Sequence, residues 1–269
     1  MLEHNPSLAL AHHKAGVSYH GMYTAYVSTG PRRLDNGTCT RSLVGVIRQA
    51  RALLPGARIV VIFDGRSTRA SDDMWQQYGR KKATIRALAD SVAPLEVIEH
   101  SQYLHQSVGL RAAMNATGST PYVFVAQDDV LLYPRINVSG ITWRLANDRR
   151  VRYVKLFNFD NVNPSLQAWS RPARPHPTDQ TLFSTLRFSD RPHFCHRAIY
   201  DREIWPHVRE SDRDVPETLL RRHPDGRAAS WREEVGPRIS GLWFYAPHKA
   251  TRHESHNACG RVSTFKKGS

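Results

Sequence analysis

The chain has 269 residues, enough for one large domain with its own core or for a domain with an added lobe. Its 38 Lys and Arg outweigh 24 Asp and Glu, and the net charge of +14 favours an anionic partner: nucleic acid, a membrane surface or a phosphorylated small molecule. The basic residues are scattered and no homeodomain, zinc-finger or RNA-recognition signature occurs, so dedicated nucleic-acid binding is not expected.

Tyr23 to Ser28 reads as a first strand, followed by a polar loop to Cys39 that Gly30-Pro31 and Asn36-Gly37 keep irregular. Leu43, Val46, Ile47, Ala50, Leu53 and Leu54 then form one helical stripe, ended by Pro55-Gly56. Arg58 to Phe63 is a second apolar strand, closed by Asp64-Gly65. A helical region from Asp72 to Asp90 leads to a short strand, Leu95 to Glu99. Leu104, Val108 and Ala112 mark a helix ending near Gly118, and Tyr122 to Gln127 is a strand with no polar alternation. This alternation of strand and helix is a doubly wound α/β beginning. A helix at Ile136–Asn147 and a strand at Arg152–Phe157 follow. Residues 158 to 181, rich in Pro, read as a long irregular connection or a mobile flap. Beyond it, Phe194 to Tyr200 is expected as a strand, Asp214 to Arg222 as a helix and Leu242 to Tyr245 as a short strand.

The apolar strand ending at Gln127 runs straight into Asp128-Asp129. Ligands of such sheets bind at the carboxyl ends of the strands. Two adjacent carboxylates there repel each other, and each resists desolvation unless a metal ion or a basic group neutralises it. Hard oxygen donors suit Mg²⁺ or Mn²⁺, whose usual partners are substrate phosphates.

Four features fall at one edge of the sheet: the loop after Ser28, Asp64, Arg111 and the acidic pair. Together they resemble the nucleotide-sugar half of GT-A glycosyltransferases, particularly the family 2-like inverting enzymes. The resemblance implies a mixed, mostly parallel, Rossmann-like sheet flanked by helices. It also implies a single domain over 1–269, with a nucleotide-sugar half at 22–133 and an irregular acceptor half at 134–269. By the same resemblance, Ser28, Thr29 and Arg32 take the nucleotide, Asp64 the base, and Arg111, with Gly109 nearby, the diphosphate. The acidic Asp-x-Asp motif of the family stands here as Gln127-Asp128-Asp129, with Gln127 able to hydrogen-bond a ribose hydroxyl. Asp129 is then the cation ligand. The implied activity is transfer of a hexosyl or deoxyhexosyl unit from a nucleoside-diphosphate sugar to a hydroxyl of a glycan, lipid or other acceptor. A sugar-nucleotide nucleotidyltransferase is the enzymatic alternative, and a basic binding module that keeps the fold is the non-enzymatic one.

Inversion needs a group to take the acceptor's proton. Trp231-Arg-Glu233-Glu234 pairs a sugar-stacking aromatic with two carboxylates, which makes Glu234, then Glu233, the candidate base. His253 and His256 resemble the closing His segment of the family, with His256 a third metal ligand; at their spacing the two also fit a single helical turn. Trp243 and Tyr245 would frame the acceptor, and Arg261 would meet phosphate. Asp72-Asp73 reads as acid at a helix start, and Arg80-Lys81-Lys82 as a solvated face. His193, Cys195 and His196 lie too close on one strand to surround an ion and read as packing or acceptor contacts. Cys39, Cys195 and Cys259 are widely spaced and odd in number, against a disulfide framework. With no apolar run of membrane-spanning length and no hydrophobic leader, a cytoplasmic protein with at most peripheral membrane contact is expected.

Overall fold

Successive residues of the central strands are apolar in both directions, so each strand needs cover on two faces. A computed structural model shows how that cover is supplied; it describes residues 18–31, 38–89, 94–132, 136–156, 175–184, 188, 191–211, 242–245 and 254–256. The elements are β1 (Tyr23–Thr29), α1 (Thr38–Leu53), β2 (Arg58–Phe63), α2 (Asp72–Ala89), β3 (Leu95–Glu99), α3 (His105–Ala116), β4 (Tyr122–Gln127), β5 (Val130–Leu132), α4 (Val138–Asn147) and β6 (Tyr153–Leu156). They continue with β7 (Pro175–His176), β8 (Asp179–Ser184), β9 (His193–His196), short helical turns over Arg197–Ile199, Tyr200–Ile204 and Trp205–His207, then β10 (Leu242–Tyr245) and β11 (Glu254–His256).

The main sheet has the order β3-β2-β1-β4-β9-β6-β10-β8-β7, and β11 pairs with β5 in a separate two-stranded sheet. Strands β1 to β4 are mutually parallel, and β10 is parallel to β6. Strand β9 runs against both its neighbours, β4 and β6, and β8 runs against β10 and β7. The sheet is therefore mixed and mostly parallel, the α/β class expected. One face packs Ala25, Val27, Ile59, Val61 and Phe63 against Leu43, Val46, Ile47 and Ala50 of α1, with Tyr78 and Ile85 of α2 and Ile141 and Leu145 of α4. The other packs Tyr26, Val60, Ile62, Val123 and Val125 against Val108, Leu110 and Met114 of α3 and against Ile199, Tyr200, Ile204 and Trp205. Each such aliphatic burial contributes about 1.5–3 kcal/mol, so the stripe read from α1 suffices to fix that helix on the sheet.

Capping follows the polar residues at the helix starts. Ser71 Oγ accepts from Met74 N at 3.2 Å and Asp72 and Asp73 occupy the first turn of α2, as their charge at a positive helix end dictates. Asn137, which opens an Asn-Val-Ser tripeptide, caps α4 by accepting from Gly140 N at 2.9 Å.

Three expectations are corrected. The stretch read as irregular to residue 181 contains the β7–β8 hairpin, which extends the sheet beyond β10. The strand expected over 194–200 stops at His196, because the chain turns helical where Arg197 bonds Asp201 one turn on at 2.9 Å and reaches Met114 O and Gly118 O of the neighbouring α3 end. Arg80-Lys81-Lys82 is not a solvated face: Lys81 is 1% and Lys82 9% exposed. Their stems lie on the same side of α2 as Tyr78 and Ile85, and the Lys82 ammonium sits 4.9 Å from the Trp75 ring centre and 5.0 Å from that of Tyr78. The helix proposed at 214–222 lies outside the described residues.

Of the two readings of His193, Cys195 and His196, His193 and Cys195 are buried in β9, and His196 Nε2 meets Leu145 O at 2.7 Å. His193 is fully buried; its Nδ1 meets the Arg191 carbonyl at 2.6 Å, so that nitrogen carries the proton, and Nε2 accepts from the Tyr200 hydroxyl at 2.9 Å. Burial pushes its pKa down to about 4. In the unfolded chain an imidazole titrates near 6.5, so the unfolded state takes up the proton first and stability is lost as pH falls from about 6.5 toward 4. Acid denaturation should show a loss of roughly 3 kcal/mol from this residue over that window. His193→Gln should flatten it, and an unchanged pH profile in that variant would contradict the assignment.

Candidate functional site

The chain runs from β1 to β2 to β3 in one direction across the sheet, then returns to place β4 on the other side of β1. The carboxyl ends of β1 and β4 therefore border a crevice at the point where strand order reverses. A cavity of about 540 Å³ occupies that place. Its wall includes Ser28, Thr29, Gly30 and Pro31 after β1, Asp64, Ser67 and Arg69 after β2, and Gln127, Asp128 and Asp129 after β4. His100, Tyr103, His105, Gln106 and Gly109 close one side, and Arg191, just before β9, reaches it from the second half.

Asp64 holds the cavity's far wall together. Its Oδ1 accepts from Gly65 N at 2.9 Å and Leu104 N at 2.7 Å, and its Oδ2 accepts from His105 N at 2.9 Å. The carboxylate thus sits on the positive start of α3. Backbone packing brings the two loops this close: a Cβ on Gly65 would fall 2.2 Å from the Gln102 carbonyl, and Arg66 and Gln102 form an isolated parallel bridge. His105, held by Asp64, takes φ of +62°, a left-handed conformation that costs a residue with a side chain about 1–3 kcal/mol. Its Nδ1 is buried without a hydrogen-bond partner among the described residues.

The acidic pair divides. Asp128 is wholly buried; its Oδ2 lies 2.7 Å from Lys81 Nζ and accepts from Thr29 Oγ1, and its backbone N–H donates to Ser28 O at 3.1 Å. Asp129, 9% exposed, lies on the cavity wall. Gln127 Nε2 donates to Gln106 Oε1 at 3.3 Å, which orients both amides beside it.

The structure brings Ser28, Thr29, Asp64, Gln127, Asp128 and Asp129 to one cavity, as the sequence suggested. It does not bring Arg111 there: that guanidinium donates to Val208 O at 2.6 Å and ties α3 to the end of the helical turns, outside the cavity wall. Arg32, Glu233, Glu234, His253 and Arg261 lie outside the described residues. Residues 254–256 form a strand, not a helical turn, and the His256 backbone pairs with Val130, next to Asp129; its side chain is outside the described set. Trp243 and Tyr245 are turned to structural work instead of facing the cavity: Trp243 Nε1 donates to Arg150 O at 2.6 Å and Tyr245 Oη accepts from Asn137 N at 3.1 Å. Sequence reasoning missed Arg191, Arg69, His105, Gln106 and Lys81. A signal for Lys81 was present, since Tyr78, Lys81, Lys82 and Ile85 share one helical stripe.

Among the described residues no three His, Cys, Asp or Glu side chains converge to hold a metal ion, and Asp128 already receives an ammonium. The described set does not fit a resident metal. No helix among the described residues is long and apolar enough to cross a membrane.

No family model and no curated protein matches the chain. Among solved structures, a mannosyltransferase from Pyrobaculum calidifontis in complex with GDP-Man and Mn²⁺ is similar over 92% of this chain and 65% of that one, with 15% identity and a TM-score of 0.47. TarS of S. aureus is similar over 87% of this chain and 36% of that one, with 9% identity and a TM-score of 0.44. This chain spans less than two thirds of the length of either, and at such scores the similarity carries no argument about activity or ligand.

Proposed function

We propose that the cavity binds a nucleoside-diphosphate sugar and that the protein is a glycosyltransferase. The observation that carries this reading is the cavity's place at the strand-order reversal, where the lining combines Asp64, Asp129 and paired amides with the guanidinium-bearing Arg69 and Arg191. Carboxylates and amides suit the hydroxyls of ribose and sugar. Guanidinium groups suit a diphosphate, which they meet with paired, charge-assisted hydrogen bonds. His193 supports Arg191 from below by fixing its carbonyl.

Transfer requires the diphosphate to leave while a hydroxyl attacks the sugar's anomeric carbon. Arg191 and Arg69 are proposed to hold the departing phosphates, and Glu234, then Glu233, to take the acceptor's proton in an inverting reaction. A divalent cation, Mn²⁺ or Mg²⁺, belongs to the resemblance rather than to the described donors.

Calorimetry with UDP and GDP tests the binding step. The intact protein should bind one of them, and Arg191→Ala should weaken that binding about tenfold or more. A protein that binds neither nucleotide refutes the reading. Glu234→Gln should lose sugar transfer while keeping nucleotide affinity; full turnover in both this variant and Glu233→Gln would place the base elsewhere.

A further inference from the structure

Beneath the cavity a buried polar cluster joins three elements. Tyr78 and Lys81 come from α2, Thr29 from the end of β1, and Asp128 from the turn after β4. Their residue exposures are 2%, 1%, 6% and 0%. The Tyr78 hydroxyl donates to Thr29 O at 3.0 Å, and burial keeps that phenol protonated by raising its pKa. Thr29 Oγ1 and Lys81 Nζ both donate to Asp128 Oδ2. Lys81 is absent from the cavity wall, whereas Asp128 borders it while its Oδ2 is taken by Lys81 and Thr29.

The ammonium sits 2.7 Å from the carboxylate oxygen. A divalent cation bound to that same oxygen would stand about 2.1 Å from it, and so within about 5 Å of Nζ. Two cations that close in a site shielded from water repel strongly, and a single carboxylate cannot neutralise three positive charges.

We propose that Lys81 is the resident counter-ion of Asp128: its ammonium holds the place a divalent cation would take at this carboxylate, and leaves Asp129 as the acid facing the ligand. This deepens the nucleotide-binding reading of the cavity, on which the ligand's identity rests. It makes Lys81 a positioning residue that acts through Asp128, and it makes the inner carboxylate part of the frame instead of the binding surface. A divalent ion should therefore gain access to Asp128 only when Lys81 loses its charge.

Mn²⁺ alone is the probe, read by thermal unfolding and by calorimetry of the full chain. Lys81→Met should bind Mn²⁺ about tenfold or more tightly than the unaltered protein, through the released carboxylate. That gain should vanish in Lys81→Met with Asp128→Asn. Any Mn²⁺ response of the unaltered protein should survive Asp128→Asn, and the lack of such a response equally supports the assignment. A response removed by Asp128→Asn alone, or no gain in folded Lys81→Met, overturns it. If Lys81→Met does not fold, Lys81→Gln takes its place, with the same gain expected and its absence overturning the assignment. A purely structural lysine would change stability without changing Mn²⁺ affinity. Failure of the intact protein to bind UDP or GDP would refute the nucleotide reading and leave these arms intact.

Discussion

Lys81→Met should lower the free energy of unfolding by about 3–5 kcal/mol, the cost of leaving one member of a buried ion pair uncompensated. Both partners are buried, so water cannot restore the lost solvation of Asp128. Thr29 still donates to the same oxygen, but a hydroxyl dipole offsets only part of a full charge. For a protein of this size the midpoint temperature should fall by roughly 10 °C. Lys81→Met combined with Asp128→Leu should recover most of the loss, because a well-packed apolar pair needs no neutralisation. Denaturant titration of the two single variants and the double variant measures the coupling. Additive losses would mean that the pair contributes no interaction of its own.

Asp64→Ala should cost about 2–4 kcal/mol and loosen one whole side of the cavity. Three backbone N–H groups, from Gly65, Leu104 and His105, lose a charged acceptor at once. The His105 backbone then has nothing to hold it at φ of +62° and should relax. Asp64→Asn keeps one carbonyl acceptor and should cost less than half as much. Amide hydrogen exchange at Leu104 and His105 reads the effect locally: protection lost in the Ala variant supports the clamp, and unchanged protection refutes it. His105→Gly is the companion test, since glycine adopts this conformation without strain and should recover part of the loss in an Asp64→Ala background.

The parts of the fold set by apolar periodicity were legible residue by residue. The strands Arg58–Phe63, Tyr122–Gln127 and Leu242–Tyr245 fall where apolar runs end close to turn residues, and Leu95–Glu99 falls on a shorter, mixed run after Pro94. The α1 stripe needed only its spacing. What depended on distant partners was not legible. Asp128 and Asp129 look alike in sequence, yet one is claimed by a lysine on another helix and the other borders the cavity. Lys81 passed for a solvated charge because its neighbours Arg80 and Lys82 are also basic, although its phase along α2 matches Tyr78 and Ile85. Arg111 carries the right charge on the right helix, but the Val208 carbonyl fixes it away from the cavity. Arg191 has no local signature at all: its value lies in where β9 inserts, which only strand pairing reveals. The positive φ at His105 is equally hidden, because an Asp far upstream imposes it.

The insertion of β9 between β4 and β6 sets the order in which the protein can assemble. Strands β1 to β4 and their helices come from consecutive sequence, so they can pair while later residues are still emerging from the ribosome. Until β9 arrives, β4 is an open edge: Tyr122, Val123, Phe124 and Val125 pair with His196, Cys195, Phe194 and His193 far downstream. An apolar edge of that kind is a template for pairing with another chain. A nascent chain released before β9 would be prone to self-association through β4. The same strand delivers Arg191 to the cavity, so the step that ends this exposure is also the one that completes the candidate site.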